Sequence, residues 1–261
     1  MISINTNRKK ALVLVEGQTE RRQLARLDQG LYRLLEQGGY QITCFGTSIY
    51  ELYDPLIRER KFDSLGSYLH YKGIVRCPEG IRPQDQFSLI YLIFDLDPLY
   101  HLYDDDKIRA LQHYFSDETG PGLLYINYPM LEAMFDVERN EDGLLHIRER
   151  CPLEECSSEK YKSHVRSFTA FRAPSGHPFS KLSPYCFAKL GMLSITRYRQ
   201  IMNITGGRWF FSDLSGLLAK ELAAKNQGYV YPLSCFPFTA LDFNAESTIS
   251  FWKQQIASFR P

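Results

Sequence analysis

The chain reads as an α/β protein, with a mostly parallel four-stranded sheet flanked by helices and a mainly helical C-terminal part. Three observations predict this. Two apolar runs of strand length, Ala11-Leu-Val-Leu-Val15 and Leu89-Ile-Tyr-Leu-Ile-Phe94, are continuous rather than alternating, the mark of strands buried on both faces. Helix-periodic stretches separate the strand-like runs, and this β-α-β-α-β-α-β order implies a parallel sheet covered on both sides. Beyond about residue 150 the segments are mostly helix-compatible.

Taken in order, the first strand stops at Glu16-Gly17, and a helix is expected from Thr19 to about Gln37. Leu24, Leu27, Leu31, Leu34 and Leu35 form its apolar stripe, with Arg21, Arg22, Arg26 and Arg33 off it. Thr19 suits an N-cap and Gly38-Gly39 a stop. Tyr40 to Phe45 is the second strand, and Ser48 to Phe62 a helix. Residues 63–86, broken by Gly66, Gly73, Pro78, Gly80 and Pro83, form an irregular or partly helical insertion. The third strand runs into Asp95-Leu-Asp97-Pro98, where proline cannot extend a central strand. A helix follows from Asp104 to Phe115, capped by the Asp104-Asp-Asp106 cluster. Gly120-Pro-Gly122 leads into the fourth strand, and Pro129 is placed as the first residue of the next helix. The polar stretch around 151–160 marks a boundary between a domain of residues 1–150 and a C-terminal region of residues 151–261. Helices are expected there near 155–171, 183–203, 211–226 and 245–258.

Composition narrows the function classes. The net charge of +1 gives no whole-molecule attraction for nucleic acid, so any such binding must come from a local patch. Cys44, Cys77, Cys151, Cys156, Cys186 and Cys235 contain no Cys-x-x-Cys, which excludes a zinc ribbon and reads as free thiols. The N-terminus has no apolar signal region and no stretch reaches membrane-span length, so a cytoplasmic protein is expected.

The chemistry concentrates at two strand ends. In open α/β sheets the carboxyl ends of strands are where ligands bind. Glu16 ends the first apolar run, and Asp95 and Asp97 end the third with i, i+2 spacing, which on a strand puts both on one face. If the two strands are neighbours, three carboxylates converge, an arrangement that is costly unless a divalent cation sits among them. Their hard oxygens, with no His or Cys near the motif, suit Mg²⁺ or Mn²⁺. Glu20 and Glu132 are candidates for the same site, although an acid in a first helical turn is also expected on helix-dipole grounds. Asn127 suits orientation of Glu132, phosphate binding or a cap. Cations interleaved with aromatics over Lys160 to Arg172, with Lys160, Lys162 and Arg166 foremost, match a single-strand groove and equally a solvated helix face.

A hydrophobic strand ending in Glu-Gly and a later one ending in Asp-x-Asp resemble the TOPRIM signature of topoisomerases, primases and several nuclease families. Glu16-Gly-Gln-Thr-Glu20 is similar to the Glu-Gly-x-x-Glu form of the overcoming-lysogenization-defect (OLD) nucleases. Leu124-Tyr-Ile-Asn-Tyr-Pro-Met-Leu-Glu132 resembles the segment that follows Asp-x-Asp in small TOPRIM proteins of phage-defence type, including the RloB-like group. The resemblance covers about the first half of the chain. It implies a TOPRIM-like catalytic domain and a metal-dependent nuclease with Glu16, Asp95 and Asp97 as catalytic residues. Glu16, Glu20, Asp95, Asp97 and Glu132 would serve as metal ligands. It further implies an antiviral toxin effector acting on DNA or RNA beside a separate ATPase partner, and a homodimer fits the same picture. Arg21 and Arg22 join Lys160, Lys162 and Arg166 as cations for the phosphate backbone, and the lysine that OLD nucleases use outside the core motifs would fall to Lys160 or Lys162. Two other readings compete: a non-catalytic TOPRIM-like interaction subunit, and an Asp-x-Asp nucleotide-sugar glycosyltransferase. The second gives no reason for Glu16-Gly-x-x-Glu20.

Overall fold

The computed structural model describes residues 10–18, 21, 40–77, 79–171, 183–205 and 213–258. The helix expected over Thr19 to Gln37, with Glu20 and Arg22, lies outside the described residues apart from Arg21.

Five strands form the main sheet: β1 (Lys10–Val15), β2 (Tyr40–Cys44), β3 (Phe87–Asp95), β4 (Ser116–Asp117) and β5 (Gly122–Asn127). Their order is β2-β1-β3-β5-β4. β2, β1, β3 and β5 run parallel, and β4 closes one edge antiparallel to β5. The sheet is therefore mixed and five-stranded rather than four-stranded. Two exposed residues, Ser116 and Asp117, carry too little pattern to announce a strand, and their pairing with Leu123 and Gly122 is set by the intervening turn. Consecutive residues of β1 and β3 are buried, Leu12, Leu14 and Val15 in one and Leu92, Ile93 and Phe94 in the other, so neighbouring side chains on opposite faces are both covered. Full burial of each such apolar side chain contributes about 1.5–3 kcal/mol. At the start of β5, Gly122 adopts φ 129°, and an added Cβ would lie 2.5 Å from Leu92 Cδ1, so glycine alone fits.

Several expected helices differ. Residues 48–62 form a 3-10 turn (Ile49–Leu52) and a π turn (Asp54–Arg58). Pro55 falls in the interior of the expected helix and has no N–H to continue an α ladder, and the chain closes instead by a bond from Glu59 N–H to Asp54 O. The insertion before β3 contains helix α1 (Leu65–Tyr71), capped by the Ser64 hydroxyl accepting from Ser67 N–H. Helix α2 (Asp105–Tyr114) begins where Asp104 accepts from the amides of Asp106 and Lys107, so that acidic run is a cap. Pro129 does not open a helix. The Tyr128–Pro129 bond is cis, the Pro129 carbonyl accepts from Asp97 N–H, and a 3-10 turn begins only at Leu131.

A short hairpin, β6 (Val137–Arg139) with β7 (Leu145–Ile147), follows, then β8 (Cys151–Pro152), which pairs antiparallel with β9 (Tyr229–Val230). Helices α3 (Ser158–Phe168), α4 (Pro184–Met202), α5 (Leu214–Lys225) and α6 (Thr239–Ser258) make up the rest. The long pair α4 and α6 meets at Gly191, where a Cβ would lie 2.6 Å from the buried Trp252 ring. Among the described residues no helix is long and apolar enough to cross a membrane.

Candidate metal centre

β1, β3 and β5 are neighbours and end at the same edge of the sheet, which brings three sequence-distant tips together. Val15 stands opposite Ile93, and Asp95 opposite Asn127. The ladder carries one residue past β1, since Glu16 N–H donates to Ile93 O at 3.3 Å. Glu16, Asp95 and Asp97 each offer a carboxylate oxygen within 4.8 Å of the others, and Asp95 is 6% exposed. Two carboxylates at that separation repel by about 3 kcal/mol at an effective dielectric near 20. A divalent cation relieves that repulsion.

Asp97 reaches the group by a different route from the expected one. β3 ends at Asp95, so strand alternation does not place Asp97; a left-handed turn does, with φ 43° at Asp97. Aspartate is among the few residues that tolerate this region, and such conformations gather at functional sites. Hydrogen bonds hold the turn: Leu96 N–H to Asn127 O at 3.0 Å, Asp97 N–H to Pro129 O at 3.1 Å and Tyr100 N–H to Asp97 O at 2.9 Å. The Tyr50 hydroxyl donates to Leu96 O at 2.5 Å. Burial raises the Tyr50 phenol, reinforced by Tyr103, Asp97 and Glu16, so it stays a proton donor beside the acids.

Asp95 is held by amides. Its Oδ1 accepts from Asn127 Nδ2 at 2.9 Å and from Leu131 N–H at 2.9 Å, while its own N–H donates to Glu16 Oε2 at 3.2 Å. Asn127 thus orients Asp95 rather than Glu132. On its other side Asn127 Oδ1 accepts from Ser234 Oγ, Cys235 N–H and Phe236 N–H at 2.8, 3.0 and 3.3 Å.

Glu132 follows Leu131 and is buried, yet it does not belong to the group of three; its Oε1 lies 3.7 Å from Lys162 Nζ. Arg21 and Arg166 are exposed, and Lys160 is exposed with Nζ 3.4 Å from Glu154 O. Glu20 and Arg22 lie outside the described residues. Of the anticipated residues, then, the structure gathers Glu16, Asp95 and Asp97, and sets Glu132 with Lys162 in a separate pair.

Sequence reasoning missed Tyr50 and Ser234, whose partners are 46 and 107 residues away and leave no local signal. It also missed the network around Asp136, which accepts from Tyr161 Oη at 2.8 Å and lies 3.7 Å from His164 Nε2. Arg148 Nη1 in turn bonds Glu155 at 2.9 Å and approaches His164 Nε2 at 3.1 Å. Burial raises Asp136, against the opposing pull of the Tyr161 hydrogen bond, Arg148 and His164.

Three carboxylates, joined by no nitrogen or sulfur ligand among the described residues, make a donor set that fits a hard divalent cation. No family model, curated protein or solved structure significantly matches the chain.

Proposed function

We propose that this chain is a Mg²⁺- or Mn²⁺-dependent nuclease of TOPRIM type that hydrolyses phosphodiester bonds of DNA or RNA. The observation that carries this reading is the convergence of Glu16, Asp95 and Asp97 within 4.8 Å at the carboxyl edge of a parallel sheet, with Glu16 and Asp95 79 residues apart in the chain. The order Glu-Gly, then Asp-x-Asp, on neighbouring strands supports the TOPRIM assignment over other uses of an acidic pair. Glu16, Asp95 and Asp97 would hold the cation. When bound, it would supply activation of water and stabilisation of the leaving oxygen.

The chain's own residues prepare that task. The amides of Asn127 and Leu131 fix one oxygen of Asp95. The turn at Asp97 and the Tyr50 hydroxyl hold the third carboxylate's backbone. Lys162 pairs with Glu132, the residue after the one whose amide holds Asp95, and is proposed among the cations for a substrate phosphate. By its resemblance the protein would act as an effector of antiviral defence, triggered beside a separate ATPase.

The test is cleavage of single- and double-stranded DNA and RNA by the purified chain with Mg²⁺ or Mn²⁺, against EDTA and against Asp95→Asn. Cleavage that requires the metal and disappears in the variant is expected. Cleavage persisting in EDTA or in Asp95→Asn would remove this site from the chemistry.

A further inference from the structure

We infer that Ser234 and Asn127 are positioning residues for the metal centre, so that the segment between β9 and α6 completes a site whose ligands all lie in the first hundred residues. This rests on the metal-centre reading above and adds a requirement which that reading does not contain.

Strand register brings the two segments together. Beyond the end of β5, Tyr128 and Leu233 exchange two backbone hydrogen bonds, Tyr128 N–H to Leu233 O and Leu233 N–H to Tyr128 O, both at 2.8 Å. These fix the next residues, Ser234 to Phe236, against the tip of β5. Three donors from that turn then converge on one atom, Asn127 Oδ1. A carboxamide has one acceptor end and one donor end, so three donors at its oxygen leave only the NH₂ to face the sheet edge. That NH₂ meets Asp95 Oδ1, which also takes the Leu131 amide. With Oδ1 engaged on both counts, Asp95 rotation is fixed.

Ser234 is fully buried and its hydroxyl serves twice: it donates to Asn127 and accepts from Phe236 N–H at 3.3 Å. Asn127 is likewise fully buried. A polar pair in the interior that connects a C-terminal turn to a carboxylate of the acidic group is similar in chemistry to the outer shells that orient metal ligands elsewhere. Removal of such partners weakens metal affinity even though every ligand remains.

The experiment is a calorimetric titration of the full chain with MgCl₂, beside thermal melts without metal, for the wild type, Ser234→Ala and Asn127→Asp. Ser234→Ala should weaken Mg²⁺ binding about tenfold, the low end for an outer-shell partner, while the metal-free melt shows a single cooperative transition. Asn127→Asp separates positioning from simple proximity. It adds negative charge near the cation, which by electrostatics alone would tighten binding, whereas removal of the N–H that holds Asp95 should weaken it. Wild-type binding with both variants equal to or tighter than wild type would overturn this inference and leave the metal centre standing. No Mg²⁺ binding by the wild type would overturn both.

Discussion

Two regions of this molecule collect acidic side chains, and they do so in opposite ways. Around Asp136 the chain brings its own partners: the Tyr161 hydroxyl donates to it, His164 lies beside it, and the neighbouring Arg148 guanidinium pairs with Glu155 and lies 4.0 Å from Glu138. At the strand tips, Glu16, Asp95 and Asp97 are turned toward one another, and neutral amides from Asn127 and Leu131 hold Asp95. The first arrangement ties the β6–β7 hairpin to α3 and serves the fold. The second concentrates like charge at the edge where α/β sheets bind ligands. Asp136 is engaged by a donor from within the chain, whereas the carboxylates at the strand tips converge on one another in a donor set that fits a divalent cation.

The largest effect is expected at Asp95. Asp95→Asn keeps an oxygen for Asn127 and Leu131 but removes a charge, so metal-dependent cleavage should fall at least about a hundredfold while the metal-free melting temperature holds or rises. A lower melting temperature with full activity would reverse the roles of the two clusters. Next in size is the effect of metal on stability. A cation bound only by the folded chain adds about 2.7 kcal/mol at roughly a hundred times its Kd, so Mg²⁺ should raise the wild-type melting temperature and leave Asp95→Asn unmoved. Arg148→Met sharpens the contrast from the other side. It should cost about 2 kcal/mol, below the roughly 3–5 kcal/mol of breaking a fully buried pair, because the Arg148 side chain keeps 15% of its exposure. Denaturant titration measures that destabilisation, and Mg²⁺ affinity should not change.

The strand-tip acids were legible because an apolar run that stops at a carboxylate is a local pattern, and Glu16 and Asp95 sit where such runs end. The route taken by Asp97 was not legible. The i, i+2 spacing predicts a shared strand face, whereas the left-handed turn at Asp97 depends on bonds to Asn127 and Pro129, about thirty residues further along the chain. The same reason hid Asn127's partner, since the register of Asp95 opposite Asn127 is set by sheet pairing. Two-residue β4 and three-residue β6 and β7 are too short for any period to register. Over 48–62 a helical pattern was real, but Pro55 diverted it into 3-10 and π turns.

Smaller effects test the remaining surfaces. If α3 binds a phosphate backbone, replacing Lys160, Lys162 and Arg166 together should reduce the slope of log affinity against log salt by about 0.7–0.9 for each phosphate that is no longer neutralised. An unchanged slope assigns those side chains to the fold alone. Glu221 offers a pH signature away from both clusters. It is fully buried, with Oε2 accepting from Tyr231 N–H at 3.0 Å, and burial raises its carboxyl well above the ordinary range. The folded chain therefore keeps a proton that the unfolded chain has released. The stability this contributes is complete below about pH 4 and is lost as pH climbs through the raised folded value. Glu221→Gln has no proton to lose, so its melting temperature relative to wild type should climb with pH. A gap that stays constant across the series contradicts that role for Glu221.

The most direct measurement is titration of the wild-type chain and Glu16→Gln with MgCl₂ by calorimetry. Glu16→Gln retains an oxygen for the Asp95 amide while removing one charge from the group of three. Saturable Mg²⁺ binding to the wild type is expected, with abolition or at least about tenfold weakening in the variant. Absence of binding, or equal binding by both proteins, would contradict it.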